Sequence, residues 1–175
     1  MTEKTLTIWT IGHSTRSIDE FVELLRINGI EILADIRRFS GSRKHPQFGQ
    51  EQLRTSLAGA GIEYAPIPEL GGRRRPRPDT HNTAWDNESF RGYADHMESE
   101  EFKRGIETLL PLASEKRTAI MCAEAVWWRC HRALVSDYLK AKDILVNHIL
   151  SATDTREHPY TSVATVVGGT VRYTK

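Results

Sequence analysis

Arg129-Cys130-His131-Arg132 places a thiol, an imidazole and two guanidinium groups in four consecutive positions. Trp127 and Trp128 precede them, and the second cysteine, Cys122, lies eight residues upstream. Cations beside a thiol lower its pKa and make it a nucleophile. If a helix starts at Cys130, its free N–H groups and dipole favour an anion at the same point. The stretch therefore suits a thiolate nucleophile or a bound phosphate or carboxylate. The competing assignment is a small buried cysteine beside a surface histidine.

Other chemistry-bearing residues stand alone. Cys122 ends an apolar run and reads either as core or as part of the site. Glu124 just after it suits a general base or an orienting carboxylate, with a salt bridge to Arg129 or Arg132 as the alternative. Zinc would accept Cys122, Cys130 and His131, with His13 or His148 completing the set. Adjacent residues on a helix point roughly 100° apart, which disfavours that set, so no metal is expected. The phosphate loop of cysteine phosphatases needs an arginine six residues after its cysteine. Here Trp128 stands six after Cys122, and Arg129 follows it. His13 in Gly12-His13-Ser14 is a ligand or a turn histidine, and Gly12 permits close backbone approach. Asp35 is a ligand group or a partner for Arg37.

The positioning elements follow from periodicity. Leu6–Ile11 reads as a strand. Ser17-Ile-Asp-Glu20 fits a capping box, followed by Phe21, Leu24 and Leu25 at helical spacing and a stop at Gly29. Ile30–Ile36 is nearly all apolar, as in a parallel strand covered on both faces. Gln50–Ala60 is a helix, Ile62–Ala65 a short strand, and 66–88 a long loop rich in Pro, Gly and Arg. Ser89–Ala113 is helical in one or two pieces. Thr118–Cys122 is a strand, about Cys130–Ala141 a helix and Ile144–Leu150 the last parallel strand. The tail 151–175 ends in a hairpin turning on Gly168-Gly169. The whole predicts a single α/β domain over 1–175. Its expected form is an open, mostly parallel sheet with helices on both faces, a Rossmann-like three-layer arrangement with a C-terminal β-hairpin. Ligands of such sheets bind outside the carboxyl ends of the strands. Nearly every unusual polar residue falls on that edge.

The 175 residues suffice for one sizeable core. A net charge of +1 makes no general case for nucleic acid or membrane. The charge is uneven, however: Arg37, Arg38, Arg43 and Lys44 form one basic cluster, and Arg73, Arg74, Arg75 and Arg77 another. No apolar run approaches the roughly 20 residues of a membrane span. Met1-Thr-Glu-Lys-Thr5 does not lead into a signal-peptide pattern. Two cysteines without a disulfide framework suit reduced thiols in a cytoplasm.

Nine short stretches, in order, carry a resemblance. They are Thr10-Ile-Gly-His-Ser14, Ala34-Asp-Ile-Arg37, Pro46-Gln-Phe48, Gly61-Ile-Glu-Tyr64, Leu70-Gly-Gly72, Tyr93, Met121-Cys-Ala-Glu124, Cys130-His-Arg132 and His148-Ile149. Together they make the chain similar to the DUF488 family over nearly its whole length. The connector Ala123–Arg129 looks like that of one subgroup. The resemblance implies an α/β fold and singles out the same strand-end residues, but implies no reaction.

Chemistry must therefore carry the function. Cys130, His131, His13 and Glu124 are the expected catalytic residues. Gly12, Ser14, Asp35, Arg37, Arg73, Cys122 and Arg132 are expected to bind an anionic, phosphate-bearing or nucleotide-like substrate. Hydrolysis or group transfer is favoured over redox chemistry, because no Gly-x-Gly-x-x-Gly cofactor loop is present. The expected partner is a small anionic ligand. One alternative is nucleic acid, held by Arg37–Lys44 and Arg73–Arg77 with Trp127 or Trp128 stacking on a base. Another is a non-catalytic interaction module anchored by the two tryptophans. The loop 66–88 is expected to border the site as a lid.

Overall fold

The computed structural model describes residues 5–39, 41 and 44–175. Met1 to Lys4 and Arg43 lie outside the described residues. Five strands run parallel: β1 (Thr7–Gly12), β2 (Ile32–Asp35), β3 (Glu63–Pro66), β4 (Thr118–Cys122) and β5 (Leu145–Ser151). The helices are α1 (Ile18–Ile27), α2 (Gln50–Gly59), α3 (Glu88–His96), α4 (Glu100–Glu115) and α5 (Arg132–Ala141). An antiparallel edge strand, β6 (Asp154–Glu157), pairs with β5. β7 (Thr165–Val167) and β8 (Thr170–Arg172) form the terminal hairpin. Its turn glycines, Gly168 and Gly169, have φ of 56° and 76°, as a type I′ turn requires.

Sheet order is β3-β2-β4-β1-β5-β6. β4 therefore lies between β2 and β1, whereas dinucleotide-binding sheets run 3-2-1-4-5-6. Two apolar clusters cover the sheet. Ile11, Leu33, Ala119 and Met121 pack with α1 and α2 residues such as Phe21, Leu25 and Leu53. Ile8, Ala34, Ile120 and Val146 pack with Tyr93, Phe102 and Leu134 of α3, α4 and α5. Alternation along β1 and β4 puts Thr10, Gly12 and Cys122 on the α5 face. The chain leaves β1 toward one face and β4 toward the other. Those strands are neighbours, with Gly12 beside Cys122, so a crevice opens beyond their ends.

Local chemistry sets the element ends. Ser17 caps α1 by accepting from the Glu20 N–H at 3.1 Å, as its capping box predicts. The chain after β4 departs from expectation. Cys130 is extended, with φ −139° and ψ 174°, His131 is the N-cap, and α5 starts at Arg132. A single 3-10 turn at Trp127–Arg129 precedes it. Cys130 is thus held by a loop, outside the first helical turn. Among the described residues, no helix is long and apolar enough to cross a membrane.

Candidate functional site

Cys122 and Cys130 meet beyond the end of β4, with their sulfurs 2.8 Å apart. Both are free thiols and both are buried. Beneath them lies Arg132, which is wholly buried. Its Nη2 donates to the Glu124 carbonyl at 2.8 Å, and its Nη1 to Thr10 Oγ1 at 3.2 Å. Nε has no hydrogen-bond partner. Among the described residues, no carboxylate pairs with this guanidinium. A buried cation requires an anion, and the two thiols are the nearest groups able to supply one.

The proton distribution follows. Burial raises the Cys130 pKa, but four effects overcome it and bring it to about 5: the Cys122 hydrogen bond, the Arg132 charge, the neighbouring His131 and the Arg132 backbone N–H, 3.3 Å from Sγ. Burial and the neighbouring sulfur push the Cys122 thiol well up. Cys122 S–H therefore donates to a Cys130 thiolate. Burial opposes the Arg132 charge, yet the two sulfurs raise its pKa overall.

A backbone device holds Arg132. A Cβ on Gly12 would lie 1.6 Å from the Glu124 carbonyl oxygen, so only glycine lets the connector cross β1 there. Glu124 thus orients Arg132 through its carbonyl, and its exposed side chain makes no salt bridge to Arg129 or Arg132. His131 Nε2–H donates to the Ile36 carbonyl at 2.8 Å. Its Nδ1 then carries the lone pair and faces Gly72, where a Cβ would approach to 2.8 Å. Burial lowers the His131 pKa and keeps the ring neutral.

A cleft of about 230 Å³ opens over the sulfurs. Arg37, Arg38, Arg73 and Arg129 line it against one acid, Glu124. Phe39, 58% exposed, stands at the mouth with the Arg38 and Arg73 guanidinium groups over its ring. Tyr93 and Phe90 close another side, and Tyr93 OH donates to the Leu70 carbonyl at 2.7 Å. A more open groove continues from Arg38 and Arg73 along Arg74, Arg75 and Arg77.

The remaining expected residues divide. His13 and Asp35 stand behind the cleft on the α1 and α2 side. Asp35 grips Arg37 in a bidentate pair at 2.9 and 2.7 Å and accepts from Tyr64 OH. It is a partner for Arg37, and a carboxylate in that pair repels an anion, so its expected role as an anion ligand gives way to positioning. His13 stacks on Phe48 at 4.4 Å, donates from Nδ1 to the Ser14 carbonyl and faces Arg37 Nη1 with Nε2 at 3.5 Å. Burial lowers its pKa to about 4. His13 thus stands behind Arg37 and is not among the residues that line the cleft. Ser14 serves through its backbone at φ 50°, donating to the Ala123 carbonyl. The sulfurs, Arg37, Glu124, His131 and Arg73 do share the cleft, with Gly12 and Arg132 forming its base.

The loop 66–88 borders the cleft but is pinned. Asp95 accepts from Arg77 N, Thr80 and Asn82, and Arg74 pairs with Glu101 at 3.1 Å. Gly71 packs on the Arg38 backbone, where a Cβ would come within 2.5 Å. These anchors tie the loop to α3 and α4. Arg73 is left facing the cleft at φ 60°.

The tryptophans also divide. Trp127 stacks on His148 at 4.6 Å and is not free for a base, while Trp128 is 52% exposed. Behind Arg132 runs a buried series of hydrogen bonds through Thr10, His148, His158 and Asp137. Among the described residues, no three His, Cys, Asp or Glu side chains are placed to hold a metal ion. The sequence marks Arg38 only as part of the basic cluster Arg37–Lys44 and does not single out Phe39, Gly72 or Tyr93 as site residues, although Leu70-Gly-Gly72 and Tyr93 are among the resembling stretches. His158 carried no signal, because it meets its partners only through the folded tail.

The model of a family described as "Domain of unknown function DUF488" matches residues 17–139. The chain belongs to the DUF488 family. The matched span contains both cysteines, Arg37, Gly72 and Tyr93, whereas Thr10, His13, His148 and His158 lie outside it. A search of curated proteins and a search of solved structures return no match.

Proposed function

We propose that this DUF488 protein is an enzyme that transfers or hydrolyses a group of an anionic substrate, with Cys130 as the nucleophile. One observation carries the reading: a buried guanidinium without a carboxylate partner sits beneath a thiol at the floor of a cationic cleft. Arg38, Arg73 and Arg129 attract the anionic part, and Phe39 offers a face to a planar part such as a nucleobase. Cys130 Sγ attacks an electrophilic centre. The new S–substrate bond forms as the leaving-group bond breaks. In the second half, His131 Nδ1 takes a proton from the acceptor, water or an alcohol, whose oxygen displaces Cys130.

Alkylation of Cys130 tests this. The rate should rise with pH around a midpoint near 5, and nucleoside phosphates should slow it. A midpoint near that of an ordinary thiol, with no protection by any phosphate-bearing compound, would defeat the reading.

A second reading, binding of single-stranded nucleic acid, is favoured by exposed Phe39 and Trp128 beside the arginine groove. Affinity that falls steeply with salt, together with a site spanning several nucleotides, would select it.

A further inference from the structure

We propose that Cys122 and Cys130 are a dithiol redox site that reduces a small hydroperoxide and closes to a reversible disulfide. The proposal goes beyond group transfer but rests on the same Cys130 thiolate. Its basis is the juxtaposition of the only two cysteines of the chain, 2.8 Å apart across the end of β4, at the floor of an open cleft.

The two sulfurs differ in kind. Cys130 accepts hydrogen bonds from Cys122 and from the Arg132 backbone and sits over the Arg132 guanidinium, so it is the attacking sulfur. Cys122 ends β4, is 2% exposed and keeps its proton, which suits a resolving sulfur that lies deeper in the same cleft. Cys130 is 9% exposed and lines the cleft. That opening admits a small peroxide, and the surrounding arginines stabilise the oxyanion it releases.

In the first step the Cys130 thiolate attacks the terminal oxygen of ROOH. An S–O bond forms, the O–O bond breaks, and RO⁻ leaves and takes up a proton as ROH. Cys130 is oxidised to the sulfenic acid by two electrons. Cys122 then attacks that sulfur. The S–S bond forms, and the sulfenic hydroxyl leaves with the Cys122 proton as water. Two equivalents of an external thiol return both sulfurs to the reduced state and depart as their own disulfide. Closing the disulfide removes the anion from beneath which Arg132 cannot move. The reduced pair is thereby the stabilised one, and such a disulfide is labile rather than structural.

The experiment treats the reduced full chain with an equimolar amount of hydrogen peroxide and follows intact mass and free thiols. Wild type should lose two hydrogens and both thiols, yield a Cys122–Cys130 peptide on digestion, and revert with excess thiol. Cys122→Ser should gain one oxygen and react with a cyclic 1,3-diketone that traps sulfenic acids. Wild type that keeps both thiols, or accumulates oxygen without the disulfide, overturns the proposal. This readout on the unaltered chain does not depend on any variant folding. The alkylation profile of the same sample separates the two readings. A low midpoint without a disulfide overturns the redox site alone. An ordinary midpoint overturns both.

Discussion

Arg132 and Asp137, both wholly buried on α5, are the two ends of one hydrogen-bond chain. Asp137 accepts from His158 Nε2 at 2.7 Å, which leaves a lone pair on His158 Nδ1 when both rings are neutral. That nitrogen accepts from His148 Nε2 at 2.8 Å, His148 Nδ1 accepts from Thr10 O–H at 2.5 Å, and Thr10 accepts from Arg132 Nη1. All links then donate in one direction, from the cation toward the anion. Neighbouring bonds polarise one another in such a chain, and the site-side guanidinium is fixed by residues of the C-terminal tail.

Asp137 also holds the tail itself. Besides His158 it accepts from Thr161 N, Thr161 Oγ1 and, at 2.8 Å, Tyr173 OH. A hydrogen bond to a charged group contributes about 1.5–3 kcal/mol. Tyr173→Phe removes one such bond and should cost about that much. Asp137→Ala strands several buried donors and should cost more than about 3 kcal/mol. Urea unfolding of the two variants measures both. Equal costs would show that the tail is not organised around Asp137.

Stability should rise with pH from acid to mildly alkaline conditions. Burial holds the His13 pKa near 4 and the His148 pKa at about 2, both below the ordinary 6.5. Between pH 4 and 6.5 the unfolded chain binds a proton at each that the folded chain refuses. Each histidine therefore gives a slope of about 1.4 kcal/mol per pH unit. Their contribution is fully present above 6.5 and is lost as pH falls. Cys130, depressed from 9.0 to about 5, acts in the same direction between those values. Urea titrations across this range read the slope, and His148→Gln should lower it by about 1.4 kcal/mol per unit below pH 6.5. An unchanged slope would mean that His148 ionises freely in the folded protein.

The glycines offer a sharper geometric check. Gly12→Ala drives a methyl into the Glu124 carbonyl and displaces the acceptor of Arg132 Nη2. Overpacking of this kind costs about 1–3 kcal/mol or more, and the Cys130 alkylation midpoint should move up with it. Gly59, at the end of α2, has nothing within 4 Å of a Cβ and no positive φ. Gly59→Ala should gain about 0.4–1 kcal/mol through the unfolded state and leave the thiol unchanged. Thermal and urea unfolding with thiol titration on each variant decides the matter. An intact low midpoint in Gly12→Ala would remove Glu124 from the account of Arg132.

The strands, the Ser17 cap and the Gly168-Gly169 hairpin were legible because local patterns fix them. β6 was not: Asp154-Thr-Arg-Glu157 is short, charged and lies on an edge, so it carries no period-two signal. Helix α5 begins two residues later than Cys130, because the close contact of the sulfurs and the His131–Ile36 bond hold the chain extended there. Strand ends correctly brought Cys122, Cys130, His131 and Arg37 to one edge. They did not separate the two faces of the sheet. Side-chain alternation after β1 and β2 turns His13 and Asp35 toward α1 and α2, behind Arg37. Trp127 was equally ambiguous, since only the folded β5 and tail supply His148 and His158 as its ring partners.

The arginines of the long loop should not be equivalent. Arg74 and Arg77 are paired with Glu101, Asp95 and Glu98, whereas Arg73 has no acidic partner among the described residues and lines the cleft. A paired guanidinium is already neutralised, while Arg73 and Arg38 present their charge to the cleft mouth. Inorganic phosphate or a nucleoside phosphate that slows Cys130 alkylation should therefore lose potency in Arg73→Ala. A charge-assisted hydrogen bond of about 1.5–3 kcal/mol corresponds to a weakening of about 10- to 150-fold. Arg77→Ala should leave protection within about twofold and change stability by less than about 1 kcal/mol, because its backbone N–H still donates to Asp95 and only half-exposed ion pairs to Asp95 and Glu98 are lost. Protection assayed at rising salt gives the second axis, since screening weakens a contact between an exposed guanidinium and an anion. If Arg77→Ala weakens protection as much as Arg73→Ala, the anion lies in the outer groove rather than over the thiols. Cys130 is then out of reach of the substrate.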